Sequence, residues 1–124
     1  MSKMMQVYKC NTCGNMVEII HDGAGRLVCC GSPMDLMNEK SSDAGQEKHL
    51  PVAEITQTRI SVTVGEVPHP MDDTHYIEWI EVIADGKVQR ANLSPGETPE
   101  AKFENVGKSI QIRSYCNTHG LWSK

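Results

Sequence analysis

The sequence predicts a mostly β protein in two parts: a short, metal-stapled N-terminal segment and an antiparallel β-sandwich or barrel. Three observations carry this reading. Four of the five cysteines crowd into residues 10 to 30. After Leu50, the runs Arg59 to Val64 and Ser109 to Cys116 set apolar residues at alternate positions, the period of a strand with one covered face. Turn-forming clusters separate these runs: ADGK at 84–87, SPGETP at 94–99 and NVGK at 105–108.

Composition narrows the field. The 124 residues suffice for one ordinary domain, or a small one tied to a modest one. A hydrophobic content of 39% and a charged content of 23% fit a soluble globular chain. The formal net charge of -4 argues against a nucleic-acid partner, which calls for a basic face. No run of about 18 apolar residues exists to cross a membrane. The start, MSKMMQVYKC, lacks the apolar core of a signal peptide, so the expected location is cytoplasmic. In a reducing compartment an odd number of cysteines points to metal binding or catalysis rather than disulfides.

Taken in order, residues 1–37 contain two short apolar runs, Met16 to Ile20 and Leu27 to Cys29, around HDGAG, which reads as a hairpin. So short a segment cannot bury enough apolar surface to fold unaided, and a metal is the available staple. Residues 38–48, NEKSSDAGQEK, are polar and without apolar period, and read as a linker. From residue 49 to 124 the chain reads as β. Ile60, Val62 and Val64 alternate with Arg59, Ser61 and Thr63, and Ile110 and Ile112 share a parity with Ser114 and Cys116. HYIEWIEVIA keeps no single parity, as expected of a strand covered on both faces or carrying a bulge.

Cys10 and Cys13 form CNTCG, and Cys29 and Cys30 form VCCG. A C-x-x-C turn presents two thiolates to one point, and the glycine after each pair relieves crowding where amides approach sulfur. Four such sulfurs make a tetrahedral site for zinc or a single iron, and spacing does not separate the two. Adjacent residues of an extended strand point to opposite faces, so Cys29 and Cys30 reach one ion only if the backbone bends.

Cys116 and His119 repeat the x-x spacing, with Gly120 after them. An isolated inward cysteine is more often a small core residue. Here other imidazoles accompany it. His69 stands between two prolines in VPHPM, His75 opens HYIEWIEV, and His49 ends QEKH just before Pro51. Each alone is more often a surface or core histidine; four with one unpaired thiol form a constellation. His21, in the HDGAG turn, is left out as solvated.

QEKH, PHP, HYIEWIEV and CNTHGLW, with CNTCG and VCCG, closely resemble desulfoferrodoxin, the two-iron superoxide reductase of anaerobic and microaerophilic prokaryotes. The resemblance covers nearly the whole chain and departs at no ligand position. It implies a rubredoxin-like iron held by Cys10, Cys13, Cys29 and Cys30. It implies a second, ferrous iron with His49, His69, His75 and His119 around its equator, the Cys116 thiolate as axial ligand and a sixth position open. It implies an immunoglobulin-like sandwich, a homodimer and a rubredoxin electron donor. The implied reaction is one-electron reduction of superoxide to hydrogen peroxide. Lys48 would steer the anion and place a proton-delivering water, and Glu47 would assist departure of peroxide; by composition alone the two are a solvated charge pair. Two other readings compete: an electron carrier built on the four-cysteine centre, and a zinc-ribbon module joined to a sandwich. Zinc would leave the protein colourless, and a pulse of superoxide separates enzyme from carrier.

Overall fold

The computed structural model describes residues 2–41, 50–65 and 69–124. The chain divides into two compact units, Met1–Asn38 and Glu39–Lys124. Among the described residues every regular element is a β-strand.

In the first unit, β1 (Val7–Lys9) pairs antiparallel with β2 (Met16–Glu18), Lys9 opposite Met16. β3 (Val28–Cys29) and β4 (Ser32–Pro33) form a two-residue hairpin, and β5 (Asp35–Leu36) flanks β1 to complete the order β2-β1-β5. The expected hairpin across HDGAG does not form. Met16 to Glu18 turns back on β1, because the C-x-x-C turn closes there, with the Cys10 amide donating to the Asn15 carbonyl at 2.8 Å. HDGAG is tied instead to the N-terminus. The Met4 amide donates to Asp22 Oδ1 at 2.6 Å, and the Ser2 amide to the Gly23 carbonyl at 3.0 Å. A local turn signal loses here to a longer-range pairing. His21 is exposed on that loop.

The second unit is a sandwich. β6 (Pro51–Ile55), β7 (Arg59–Val64) and β10 (Glu100–Glu104) make a sheet of order β10-β7-β6. β8 (Ile77–Ala84), β9 (Lys87–Asn92), β11 (Ile110–Cys116) and β12 (Gly120–Ser123) make the other, ordered β12-β11-β8-β9. All pairings are antiparallel. Ile60, Val62 and Val64 of β7 all face the core, as their alternation predicts, and meet Ile80, Val82, Ile112, Phe103 and Cys116. Each such side chain stabilises the fold by about 1.5–3 kcal/mol through removal of apolar surface from water.

Strand β8 explains its irregular pattern in two ways. Opposite Tyr115 and Cys116 the register skips Glu78, a bulge that brings Ile77 to the same inner face as Ile80 and Val82 despite its opposite parity. The outer face is covered too. Arg113, Glu81 and Arg90 lie opposite one another across β11, β8 and β9, with Glu81 fully buried and bonded by both arginines. Burial alone would lower the Arg113 pKa, but its bonds to Glu81 and Glu39 outweigh that and hold it above the usual value. The guanidinium therefore stays charged. Such a buried pair fixes geometry more than it adds stability. Glu39 and Lys40, linker by composition, belong to this unit: Lys40 runs beside β12, its amide donating to the Leu121 carbonyl and its carbonyl accepting from the Ser123 amide, both at 2.9 Å.

Candidate metal centres

The four-cysteine group of the first unit assembles as its spacing suggests. Cys10, Cys13, Cys29 and Cys30 bring their sulfurs within 4.8 Å of one another. Cys13 and Cys29 are 3.5 Å apart and Cys29 and Cys30 3.9 Å. A tetrahedron with metal–sulfur bonds of about 2.3 Å has edges of about 3.8 Å, so the sulfurs already stand at a metal's spacing. The bend required between the adjacent cysteines is present. Cys30 (φ 54) and Gly31 (φ 75) both occupy the left-handed region, forming the two-residue turn between β3 and β4. Cys30 thereby leaves the strand direction and joins Cys29 on one side.

The first pair follows the same logic. The Cys13 amide points at Cys10 Sγ at 3.5 Å, and the Asn15 amide at Cys13 Sγ at 3.4 Å, past Gly14 at φ 85. The amide of Cys13 is the leading cause that lowers the Cys10 thiol to about 6. Cys30 is pushed up to about 12, first by Cys13 and then by Cys10 and Cys29. Cys10 takes a negative charge readily while Cys29 and Cys30, beside the other sulfurs, resist one, and such a cluster calls for a cation.

The second group lies in the sandwich. His69, His75, Cys116 and His119 bring their ligand atoms within 4.8 Å of one another. His69 precedes Pro70 in the loop after β7, His75 closes a tight turn on Asp72 just before β8, and Cys116 ends β11. His119 stands in the loop from Cys116 to Gly120, whose φ of 92 lets that loop close on β12. The imidazole planes follow one another edge to face: His69 to His75 at 4.8 Å and 82°, His75 to His119 at 4.9 Å and 70°. Cys116 Sγ is 3.7 Å from His119 Nδ1, so that nitrogen faces the sulfur.

These residues fit a metal. Nδ1 of His69 is bonded to the Pro70 carbonyl at 2.8 Å, which fixes the tautomer that leaves Nε2 as a ligand atom. Nε2 of His75 is buried with no hydrogen-bond partner among the described residues, a cost of about 1–3 kcal/mol that a coordinated ion removes. Cys116 is fully buried. Burial pushes its thiol up, while the amides of His119 and Thr118 favour the thiolate. Three neutral imidazoles and a thiolate suit iron, copper or zinc by donor type alone.

Four of the five ligands expected for the second centre thus converge. His49, with Glu47 and Lys48, lies outside the described residues. Ile77, which follows Tyr76 and opens β8, is fully buried in the core, because the β8 bulge turns it inward. Tyr115 stacks on Trp79 with centroids 5.9 Å apart, and Trp122 is buried on β12. Two residues were not singled out in the sequence. Asn117 accepts the Tyr76 amide on Oδ1 at 3.0 Å and donates from Nδ2 to the Thr74 carbonyl at 3.1 Å, bracketing His75. Lys40 Nζ donates to the His119 carbonyl at 2.8 Å. Asn117 sits inside the CNTHG motif and was open to notice; Lys40, far away in a polar stretch, carried no such signal.

Comparison with known proteins finds a match for each unit. Residues 2–37 match the family model described as desulfoferrodoxin, N-terminal domain, and residues 41–124 match the desulfoferrodoxin model. A desulfoferrodoxin of Syntrophotalea carbinolica is 55% identical, with 99% of this chain and 98% of the relative covered. A superoxide reductase of Thermococcus kodakarensis is 38% identical across 67% of this chain and 89% of its own length. Among solved structures, the superoxide reductase of Treponema pallidum superposes with a TM-score of 0.83 at 25% identity, over 99% of both chains. With a model matched on each unit and full-length relatives above half identity, the chain belongs to the desulfoferrodoxin family.

Proposed function

We propose that the chain is a superoxide reductase that takes superoxide to hydrogen peroxide by adding one electron and two protons. The observation that carries this is the convergence of His69, His75 and His119 with the buried thiol of Cys116, in a chain that also assembles a four-sulfur centre. Cys10, Cys13, Cys29 and Cys30 would hold one iron ion and His69, His75, Cys116 and His119 a second, which would supply the reducing electron when bound. The chain's own residues do the rest. Neutral imidazoles leave the ion's positive charge largely uncompensated, which attracts an anion. The Pro70 carbonyl holds the His69 ring in one tautomer and one orientation. The sandwich core keeps water from the Cys116 sulfur.

The remaining assignments rest on the family resemblance. His49 supplies a fourth imidazole. Lys48 steers superoxide and places the water that delivers a proton. Glu47 assists the departure of peroxide. A rubredoxin-like donor supplies the electrons, and the protein works as a cytoplasmic homodimer. Its five free thiols fit a reducing compartment.

Iron analysis with visible spectroscopy and a pulse of superoxide test the proposal together. About two irons per chain are expected, one for each ligand group. Superoxide should bleach or build the second centre's colour in a bimolecular step. Lys48→Ala should slow that step about tenfold and flatten its dependence on ionic strength. Cys116→Ser should abolish the thiolate-to-iron band of the oxidised second centre and spare the first centre's colour. A chain that holds both irons yet ignores superoxide would be an electron carrier, and a colourless zinc-loaded chain would be neither.

A further inference from the structure

Lys40 occupies a place that its polar surroundings in the sequence do not explain. Its backbone is fastened to β12 on both sides of Trp122, through the Leu121 carbonyl and the Ser123 amide. Its side chain then crosses the Trp122 ring, with Nζ 5.3 Å from the ring centroid. The ammonium ends on the carbonyl oxygen of His119 at 2.8 Å. Gly120, next along, lies against it: a Cβ there would stand 3.8 Å from Nζ, at ordinary contact distance. Among the described residues no carboxylate pairs with this ammonium. A cation so held is a fixed charge beside the loop that carries two of the second centre's ligands.

We infer that Lys40 is a redox-tuning residue of the Cys116–His119 centre, its bound ammonium favouring the ferrous over the ferric ion. The ferric state carries one more positive charge than the ferrous. A fixed cation nearby repels that extra charge and raises the reduction potential. The bond to the His119 carbonyl also draws electron density from a peptide group joined to a ligand residue. Lys40 is exposed on one side, so solvent moderates the effect. Its contact with Trp122 is a cation–π contact, which holds the ammonium in place rather than neutralising it.

The inference rests on iron at the second centre and not on what that iron reduces. The test is a mediated redox titration of the two-iron protein, following the thiolate-to-iron band. Lys40→Met removes the charge and keeps a chain able to cover Trp122. It should raise the ferric-to-ferrous ratio at fixed poise about three- to tenfold; tenfold corresponds to about 59 mV for a one-electron couple. Lys40→Arg keeps the charge and should stay within twofold of the parent. Raising the salt concentration should move the parent toward the methionine variant and leave the variant still. An unchanged ratio in Lys40→Met would overturn the inference, and so would an equal shift in both variants, which marks a steric effect. If the shift appears but superoxide is not consumed, the inference stands and the proposed activity falls. If superoxide is consumed and the ratio does not move, the reverse holds.

Discussion

Asn117 joins two ligand-bearing segments that lie far apart in the chain. Its side chain takes the Tyr76 amide and gives to the Thr74 carbonyl, and its own amide donates to the Tyr76 carbonyl at 3.2 Å. Three bonds therefore clamp residues 74–76, with His75 at their middle, onto the loop of Cys116 and His119. His75 can reach an ion shared with Cys116 only if these two backbones keep a fixed separation. Asn117→Ala should weaken iron binding at the second centre by about 10–100-fold, the scale of lost outer-shell support. Asn117→Asp keeps the acceptor for Tyr76, loses the donor to Thr74, and should fall between. Competition against a chelator, read on the second centre's absorption, measures both. Parent-like affinity in Asn117→Ala would show that the backbone holds His75 without help.

At the scale of elements, what could be read in advance follows from which faces are covered. β7 was legible because one face meets the core and the other does not, so Ile60, Val62 and Val64 alternate with polar neighbours. β8 kept no parity because its outer face buries Glu81 and Trp79, and because a bulge moves Ile77 across. The C-x-x-C and C-x-x-H turns were legible because ligand geometry is local there. The HDGAG hairpin was not, since its partner is the N-terminal segment. Lys40 was hidden because its contact is set by tertiary register, 79 residues away. The ADGK turn shows how a local signal and a distant contact combine. Asp85 (φ 49) and Gly86 (φ 78) form the two-residue link from β8 to β9, and Asp85 Oδ2 accepts the Lys108 amide at 3.0 Å. A Cβ on Gly107 would come within 2.6 Å of that oxygen. Gly107→Ala must push Asp85 aside and break the bond, and should cost about 1–3 kcal/mol. A lower denaturant midpoint at unchanged slope, with both iron spectra intact, is the expected result; no change in midpoint would mean that Asp85 can swing away freely.

The two units differ in what keeps each folded, and that difference governs the response of the whole molecule to metal loss. The sandwich has nine buried residues in one cluster, enough to stand without an ion. Among the described apolar residues of the unit Met1–Asn38 only Val7, Cys10 and Ile19 are buried, and Ile20 is 83% and Val28 61% exposed. Below about 40 residues a chain needs a metal, disulfides or a partner to fold. All five thiols are free, so the four-sulfur ion is the staple. Chelation of iron under reducing conditions should therefore abolish amide-exchange protection across β1, β2 and β5 while β7, β8 and β11 stay protected. The loss at the sandwich should be confined to the loops that carry His69, His75 and His119. Cys13→Ser should reproduce the first effect alone, with iron falling to about one per chain, because three sulfurs close no tetrahedron. Protection persisting in β1 and β2 after the iron is gone would mean that the small core, and not the metal, holds the unit together.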